Sequence, residues 1–219
     1  MLDHDFIKRL KNREHISNML EEVLGICKKY KLEKPTMQLV QGIGYNDGKY
    51  PAKLDGKSTF QYNLWLNMLH RISVIYTDCT ISENFKSFSY FYEWCEKQIG
   101  FGLPNYELDK DLLIKGNKLY SEETCVFIPK ELNVLLTKRQ NDRGSLPVGI
   151  TEQKGRYRAR CNIYGVRKHI GYFDTPELAF EAYKLAKENH IKDIAHKYKD
   201  SIDIRVFNAL IKYKVDIGD

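Results

Sequence analysis

Apolar residues recur at intervals of three and four along several stretches of the chain, which is the spacing of an amphipathic helix. Ser82 can cap the stretch at 83–101, and Thr175 followed by Pro176 is typical of a helix start. Gly and Pro turn signals over 32–60 indicate an irregular arm. The pattern predicts helices at about 2–31, 62–72, 83–101, from Thr175 onward and around 202–213.

Short apolar runs bounded by turn residues predict strands. Residues 106–114 and 124–128 are predicted to form a strand pair, joined by a loop that contains Gly116 and Asn117. Pro129 suits the first turn of the helix that "KELNVLLTKR" would continue. The predicted order is therefore strand, loop, strand, helix.

A second set of strand signals lies in "VGITEQKGRYRARCNIYGVRKHIGYF". Turns at Lys154–Gly155 and Tyr164–Gly165 divide this segment into three short strands, and the helix that opens at Thr175 follows. We therefore predict an α+β protein. N-terminal helices and the strand–loop–strand–helix unit come first, and a three-stranded antiparallel sheet packed on a helix comes last.

The polar stretch "QNDRGSLP" at 140–147 is the strongest candidate for a domain linker. It predicts an N-terminal helical segment at 1–36, one module at 37–139 and a second module at 148–219.

The net charge of +6 is unevenly distributed. Residues 1–137 carry 18 Lys and Arg against 18 Asp and Glu, whereas 138–219 carry 17 against 11. Residues 148–173 alone hold six basic residues and one acidic residue. Segregated basic charge is typical of a protein with a polyanionic partner, most often nucleic acid, although a solubilising surface can have the same composition.

Composition argues against several other classes of protein. No stretch approaches the ~20 apolar residues that a membrane span needs, and the charged N-terminus lacks the apolar core of a secretory signal. The five cysteines are scattered and form no C-x-x-C pair, which argues against a structural zinc site and against a disulfide framework. We expect a cytoplasmic protein that binds neither membrane nor zinc.

The predicted second strand places nearly all of its charge on one side. Successive side chains of a strand point to opposite faces, so in "RYRARCNIY" the basic residues alternate with Tyr157, Ala159, Cys161 and Ile163. The same alternation places two residues of "VRKHIGYF" on the basic side. The predicted polar face consists of Arg156, Arg158, Arg160, Asn162, Arg167 and His169. Arg side chains so arranged suit guanine edges and phosphates, which they bind with two hydrogen bonds.

The segment "VGITEQKGRYRARCNIYGVRKHIGYFDTPELAFEAYKLAK" resembles the Apetala-two domain of plant ethylene-response factors, which also occurs in phage homing endonucleases. The marks are the Gly149–Ile150 opening, Gly155 before an aromatic residue, Ala159 and the run "IGYFDTPELAFEAY"; the resemblance covers about 148–195. It implies three antiparallel strands in the major groove of double-stranded DNA, with the six residues of the polar face as contacts. The plant domain commonly has Trp where His169 stands and has first-strand arginines that this chain lacks, so its target sequence does not carry over.

The stretch "LDKDLLIKGNKLYSEETCVFIPKELN" resembles the ββα-metal (HNH) motif of phage homing endonucleases. The wider resemblance covers about 40–137. It implies a magnesium- or manganese-dependent nuclease with one metal ion and no small-molecule cofactor, encoded by a phage and acting in a bacterial host. By position, Asp109 and Asn133 are the metal ligands, Lys110 stands in place of the general-base His, and Thr124 stands in place of the Asn that orients that His.

The chemistry of such a site needs few groups. A hard divalent cation binds carboxylate and amide oxygens and stabilises the charge on phosphorus and on the leaving oxygen. A lysine has an ordinary pKa near 10.4 and would need lowering by ~3 units to act as a base at neutral pH, whereas Asp109 and Asp111 would raise it. Lys110 could instead bind the scissile phosphate, and His70 could supply a base from elsewhere.

Two functions follow from these patterns. One is a metal-dependent endonuclease that cleaves double-stranded DNA. The other is a catalytically inactive descendant that binds DNA or a host protein, and the missing His keeps this alternative open. The sequence does not determine the oligomeric state.

Overall fold

The structure, a computed structural model, describes residues 38–137 and 146–217. The helix predicted over 2–31 and most of the predicted linker at 140–147 lie outside the described residues. The predicted division into two modules therefore stays a prediction.

The first described part builds an aromatic core. A small hairpin, β1 (Lys53–Leu54) and β2 (Lys57–Ser58), precedes α1 (Phe60–His70), and a π-type turn (Arg71–Ile75) continues that helix. After β3 (Thr80–Ile81) comes α2 (Phe88–Glu96). Their buried rings contact one another edge-on or tilted, and they include Trp65, Phe85, Phe88, Phe91 and Trp94.

The start of α2 differs from the prediction. Ser82 accepts a hydrogen bond from the Phe85 amide and caps only a short 3₁₀ turn (Asn84–Lys86). The helix itself begins after Ser87, whose hydroxyl accepts from the Tyr90 amide. The helical conformation is interrupted at Ser87, whose backbone is extended at φ −81° and ψ 123°.

The predicted strand–loop–strand–helix unit is present. It consists of β4 (Tyr106–Asp109), β5 (Leu119–Tyr120), β6 (Val126–Pro129) and α3 (Lys130–Leu136). β4 pairs antiparallel with β6, and β5 pairs in parallel with β3. The first strand is shorter than predicted because the Asp109 carboxylate turns the chain by accepting from two following amides. Pro129 ends β6 and precedes the first turn of α3.

The three predicted strands are β7 (Ile150–Gln153), β8 (Arg156–Ile163) and β9 (Val166–Phe173). They form one antiparallel sheet in the order β7–β8–β9. At both predicted turns, both residues have positive φ, from 52° at Tyr164 to 77° at Gly165, which is the geometry that suits a two-residue hairpin. The prediction of an α+β fold with this sheet is confirmed.

Two helices complete the chain: α4 (Pro176–Lys197) and α5 (Ile204–Lys212). The Thr175 hydroxyl accepts from the Leu178 amide at 3.3 Å, and Pro176 is the first residue of α4, both as predicted. The sheet packs on α4. Other residues of α4 bind α3: Lys197 Nζ lies 2.6 Å from the Glu131 carboxylate, and Lys187 Nζ donates to the Leu135 carbonyl at 2.7 Å.

One apolar cluster therefore contains residues of both the three-stranded sheet and the strand–loop–strand–helix unit. Val126, Ile128 and Leu132 share it with residues of β8 and with Ile191 and Ile194 of α4. Among the described residues, no helix combines the length and the apolar character needed to cross a bilayer.

Candidate functional site

The outer surface of the three-stranded sheet is polar, as the alternation predicted. Tyr157, Ala159, Cys161 and Ile163 pack into the core on the side of α4. The opposite side, which we call the outer face, carries Arg156, Arg158, Arg160 and Asn162 of β8 with Arg167 and His169 of β9.

A β-bulge between Ala159 and Arg160 changes which β9 residues join the outer face. Arg160 pairs with His169, whereas Arg158 pairs with Tyr172, so the rings of His169 and Tyr172 lie 5.0 Å apart. Strict alternation would have placed Tyr172 on the opposite side from His169. Tyr172 is therefore an outer-face residue that the sequence pattern missed.

Gln153 of β7 holds two of these side chains in place. Its Oε1 accepts from Nη1 of Arg158 at 3.1 Å and from the Tyr172 hydroxyl at 3.0 Å. Nε of Arg158 is buried and has no hydrogen-bond partner among the described residues. The Arg158 guanidinium is thus oriented by the sheet, a requirement for reading a base edge.

The outer face is strongly positive. Burial, followed by the charges of Arg158 and Arg167, lowers the pKa of Arg160, and all three side chains lie on the outer face. Among the described residues, the outer face has one ion pair, between Arg156 Nε and the Asp174 carboxylate at 3.3 Å. An anion placed against this face would relieve the mutual repulsion.

A second feature is a cavity of about 630 Å³ beside the end of β4. Asp109, Lys110 and Asn133 line it, so the structure brings together three of the four residues expected in a nuclease site. Thr124 and His70 are not among the lining residues. The Thr124 hydroxyl instead donates to the Leu119 carbonyl at 2.7 Å and accepts from the Ser121 amide, which closes the turn between β5 and β6.

Asp109 is the last residue of β4, and one oxygen of its carboxylate is hydrogen-bonded to backbone amides. Oδ1 accepts from the amides of Asp111 at 2.9 Å and Leu112 at 2.7 Å. Oδ2 has no hydrogen bond to any described residue. Burial raises the pKa of Asp109 even though the two amide hydrogen bonds act in the opposite direction. A cation at Oδ2 would act in the same direction as the two amides and favour the charged form.

Asn133 also lines this cavity. Its Nδ2 donates to Oε2 of Glu107 at 2.8 Å, so the amide is oriented and Oδ1 is left to accept a ligand. Glu107 lies two residues before Asp109 on β4 and therefore on the same strand face. That spacing is the sequence signal by which Glu107, as the orienting residue of Asn133, could have been found.

The ammonium group of Lys110 is bound by partners within its own loop. Its Nζ lies 2.6 Å from the Asp111 carboxylate and donates to the Asn117 carbonyl at 2.9 Å, and only 11% of its side chain is exposed. Burial alone would lower the pKa of Lys110, but the hydrogen bond and charge of Asp111 raise it overall. Lys110 therefore stays protonated and does not have the properties of a general base.

The donor set fits a hard cation in its chemistry. Within the described ranges, no group of three or more His, Cys, Asp or Glu side chains could hold a metal ion. Asp109 and Asn133 offer one carboxylate and one amide oxygen to a single cavity. Mg²⁺ commonly binds through one or two protein oxygens and keeps several waters, so this pair suits it.

Searches with this chain against protein-family models, curated proteins and solved structures found no match.

Proposed function

We propose that this protein binds double-stranded DNA through the outer face of β7–β9 and hydrolyses a phosphodiester bond at the Asp109 cavity with a bound Mg²⁺ or Mn²⁺ ion. The observation that carries the proposal is the outer face itself. Four arginines, one asparagine and one histidine lie on it around a single ion pair among the described residues.

The dimensions of the sheet support DNA as the partner. A β-ribbon fits the major groove of B-DNA, which is about 12 Å wide. β8 has eight residues, and its outer side chains alternate with side chains that pack into the core. The backbone that carries the outer side chains is therefore held in place by the core. The Gln153 contact holds Arg158, whereas Arg160 and Arg167 have no ion pair with any described residue. Such guanidinium groups suit guanine edges and phosphates.

The cavity supports the cleavage step. Asp109 Oδ2 and Asn133 Oδ1 would hold the ion, which supplies Lewis-acid stabilisation of the leaving oxygen when bound. Glu107 orients Asn133, and Lys110 fastens the loop that follows Asp109. None of these four residues is needed for the outer face, so binding and cleavage are separable functions of the chain.

A second candidate is a protein that binds DNA, or a host protein, without cleaving. The protonated state of Lys110 favours it, together with the lack of a histidine among the described residues that line the cavity. A nuclease of this design would act without a histidine base among the described residues of the cavity wall.

The test uses the full-length chain and supercoiled plasmid. The nuclease proposal expects nicked or linear DNA with Mg²⁺ or Mn²⁺ and intact plasmid with EDTA. Binding that falls steeply with salt, without cleavage under any metal condition, would instead establish the second candidate. Absence of salt-sensitive binding to duplex DNA would refute DNA as the partner in both.

A further inference from the structure

The cavity beside Asp109 has four cationic side chains in its wall: Arg71, Lys110, Lys115 and Lys118. Each lysine has a carboxylate partner. Lys110 pairs with Asp111 at 2.6 Å, Lys115 pairs with Asp216 at 2.5 Å, and Lys118 pairs with Asp78. Arg71 forms no ion pair with any residue in the described parts of the chain. Its charge is therefore available to an incoming anion.

Arg71, Lys110 and Tyr120 all line this cavity. Burial raises the pKa of Tyr120, and the Arg71 guanidinium acts in the opposite direction. The same ring lies 5.5 Å from Nζ of Lys110. Asp109 lines the cavity as well, so Arg71 and the proposed cleavage site share one cavity.

The backbone of Arg71 is well anchored while its side chain is exposed. Its amide donates to the carbonyls of Asn67 and Met68 at the end of α1, and its carbonyl accepts from the Tyr76 amide at 2.7 Å. The next residue, Ile72, is buried in the aromatic core. A guanidinium on a fixed backbone in the cavity wall can bind an anion without ordering a loop first.

We infer that Arg71 is the residue that binds the phosphodiester entering the cavity, with its guanidinium donating to the two non-bridging phosphate oxygens. This inference rests on the proposed function. Arg presents a planar pair of N–H groups that match phosphate oxygens, which a lysine cannot do. Lys110, the sequence-based candidate for this role, already donates to Asp111 and Asn117. Arg71 and the ion at Asp109 would thus together neutralise the negative charge of the phosphate.

The first experiment maps arginine accessibility in the full-length protein. Phenylglyoxal modification in EDTA, at low salt, is followed by peptide mass spectrometry with and without a duplex of random sequence. We expect DNA to protect Arg71 together with Arg158 and Arg160. Arg205 is the matched reference, because it is exposed and already paired with Asp203 at 2.9 Å, so its modification should not change.

The outcomes separate the two proposals. Protection of Arg158 and Arg160 with unchanged modification of Arg71 would overturn this inference and leave DNA binding standing. Protection of Arg71 without any metal-dependent cleavage would establish the phosphate contact and refute the nuclease. No protection at any arginine would overturn both.

The second experiment compares variants in the plasmid assay. Arg71→Ala should lower the cleavage rate roughly 100-fold, the usual scale for losing one group that stabilises transition-state charge, while DNA affinity in EDTA falls far less than the cleavage rate, because the outer face supplies the other contacts. Arg71→Lys should recover part of the rate, since it keeps the charge but loses the paired donors. Lys118→Ala is the matched control in the same cavity wall and should cleave at the wild-type rate. Wild-type cleavage by Arg71→Ala would overturn the inference.

Discussion

Lys110 and Asn117 hold each other across the loop between β4 and β5. Nζ of Lys110 donates to the Asn117 carbonyl at 2.9 Å, and Nδ2 of Asn117 donates to the Lys110 carbonyl at 2.8 Å. Asn117 Nδ2 also donates to the Leu119 carbonyl at 2.7 Å. The lysine that the sequence resemblance places at a general-base position is therefore a structural residue of this loop.

Lys110→Met and Asn117→Ala should each destabilise the fold by about 1–3 kcal/mol, because each leaves partly buried polar groups without partners. The double variant should cost less than the sum of the two, with a coupling of about 0.5–3 kcal/mol. Urea unfolding of the four proteins measures this. Lys118→Met is the control: its ion pair with Asp78 has both side chains 59% exposed, so its loss should change the stability little. Strict additivity would show that the two residues do not act as a pair.

Arg158→Ala and Arg160→Ala should each weaken DNA binding by about 1–3 kcal/mol if they read base edges. The measurement is fluorescence anisotropy with a duplex selected for tight binding, over a range of salt concentrations. Lys168→Ala is a matched control from β9. Lys168 pairs with the inward-facing Cys161, so this substitution removes the same charge from the other side of the sheet. Equal losses in all three variants would indicate a general effect of charge and no specific contact.

Tyr172→Phe tests the Gln153 contact without removing a ring from the outer face. Without the Tyr172 hydroxyl, Gln153 is held by Arg158 alone, and the Arg158 guanidinium becomes less ordered. We expect an affinity loss of about 0.5–1.5 kcal/mol, the usual contribution of one hydrogen bond, and the loss should disappear in an Arg158→Ala background. A similar loss in both backgrounds would show that Tyr172 acts on DNA independently of Arg158.

Asp109→Asn should abolish metal-dependent cleavage while leaving DNA affinity unchanged, because the outer face does not involve Asp109. Asn keeps an acceptor for the Asp111 and Leu112 amides, so the loop geometry is retained and only the ligand charge is lost. Plasmid cleavage and anisotropy measure the two properties separately. Cleavage at the wild-type rate would exclude Asp109 as a metal ligand.

His190 should make the stability depend on pH. Its Nε2 accepts from the Tyr164 amide at 3.3 Å in the β8–β9 turn, and its Nδ1 is buried without a partner among the described residues. Burial, followed by the charge of Lys187, lowers the pKa of His190 below its ordinary value of 6.5, and Lys168 acts in the same direction. Asp193 and Glu131 act in the opposite direction but do not reverse the shift.

The sign follows from proton binding. In acid the unfolded chain binds a proton at His190 more readily than the folded chain, so stability is full above the ordinary pKa and falls as pH falls through the lowered value. Urea unfolding at about pH 8 and about pH 5.5, on either side of the ordinary histidine pKa, should show a smaller acid loss in His190→Gln than in the wild type. Gln can still accept from the Tyr164 amide. An identical loss in both proteins would exclude His190 as the cause.

Local pattern was sufficient for the elements that depend on neighbouring residues. The alternation of β8 predicted which side chains face α4, since a strand reverses its side chains at every residue. The two hairpin turns and the start of α4 were also readable, because positive φ at Gly155 and Gly165 and the cap at Thr175 are properties of short segments.

Tertiary structure decided the contacts that join distant segments. Tyr172 reaches the outer face because a bulge in the pairing of β8 and β9 shifts the register, and pairing is not visible in one strand. Glu107 orients Asn133 from 26 residues away, and Arg71 enters the wall of the Asp109 cavity from the end of α1. The role of Lys110 changed for the same reason. Its position in the motif indicated a base or a phosphate ligand, but the folded loop places Asp111 and Asn117 around its ammonium group, and these partners determine its charge and its position.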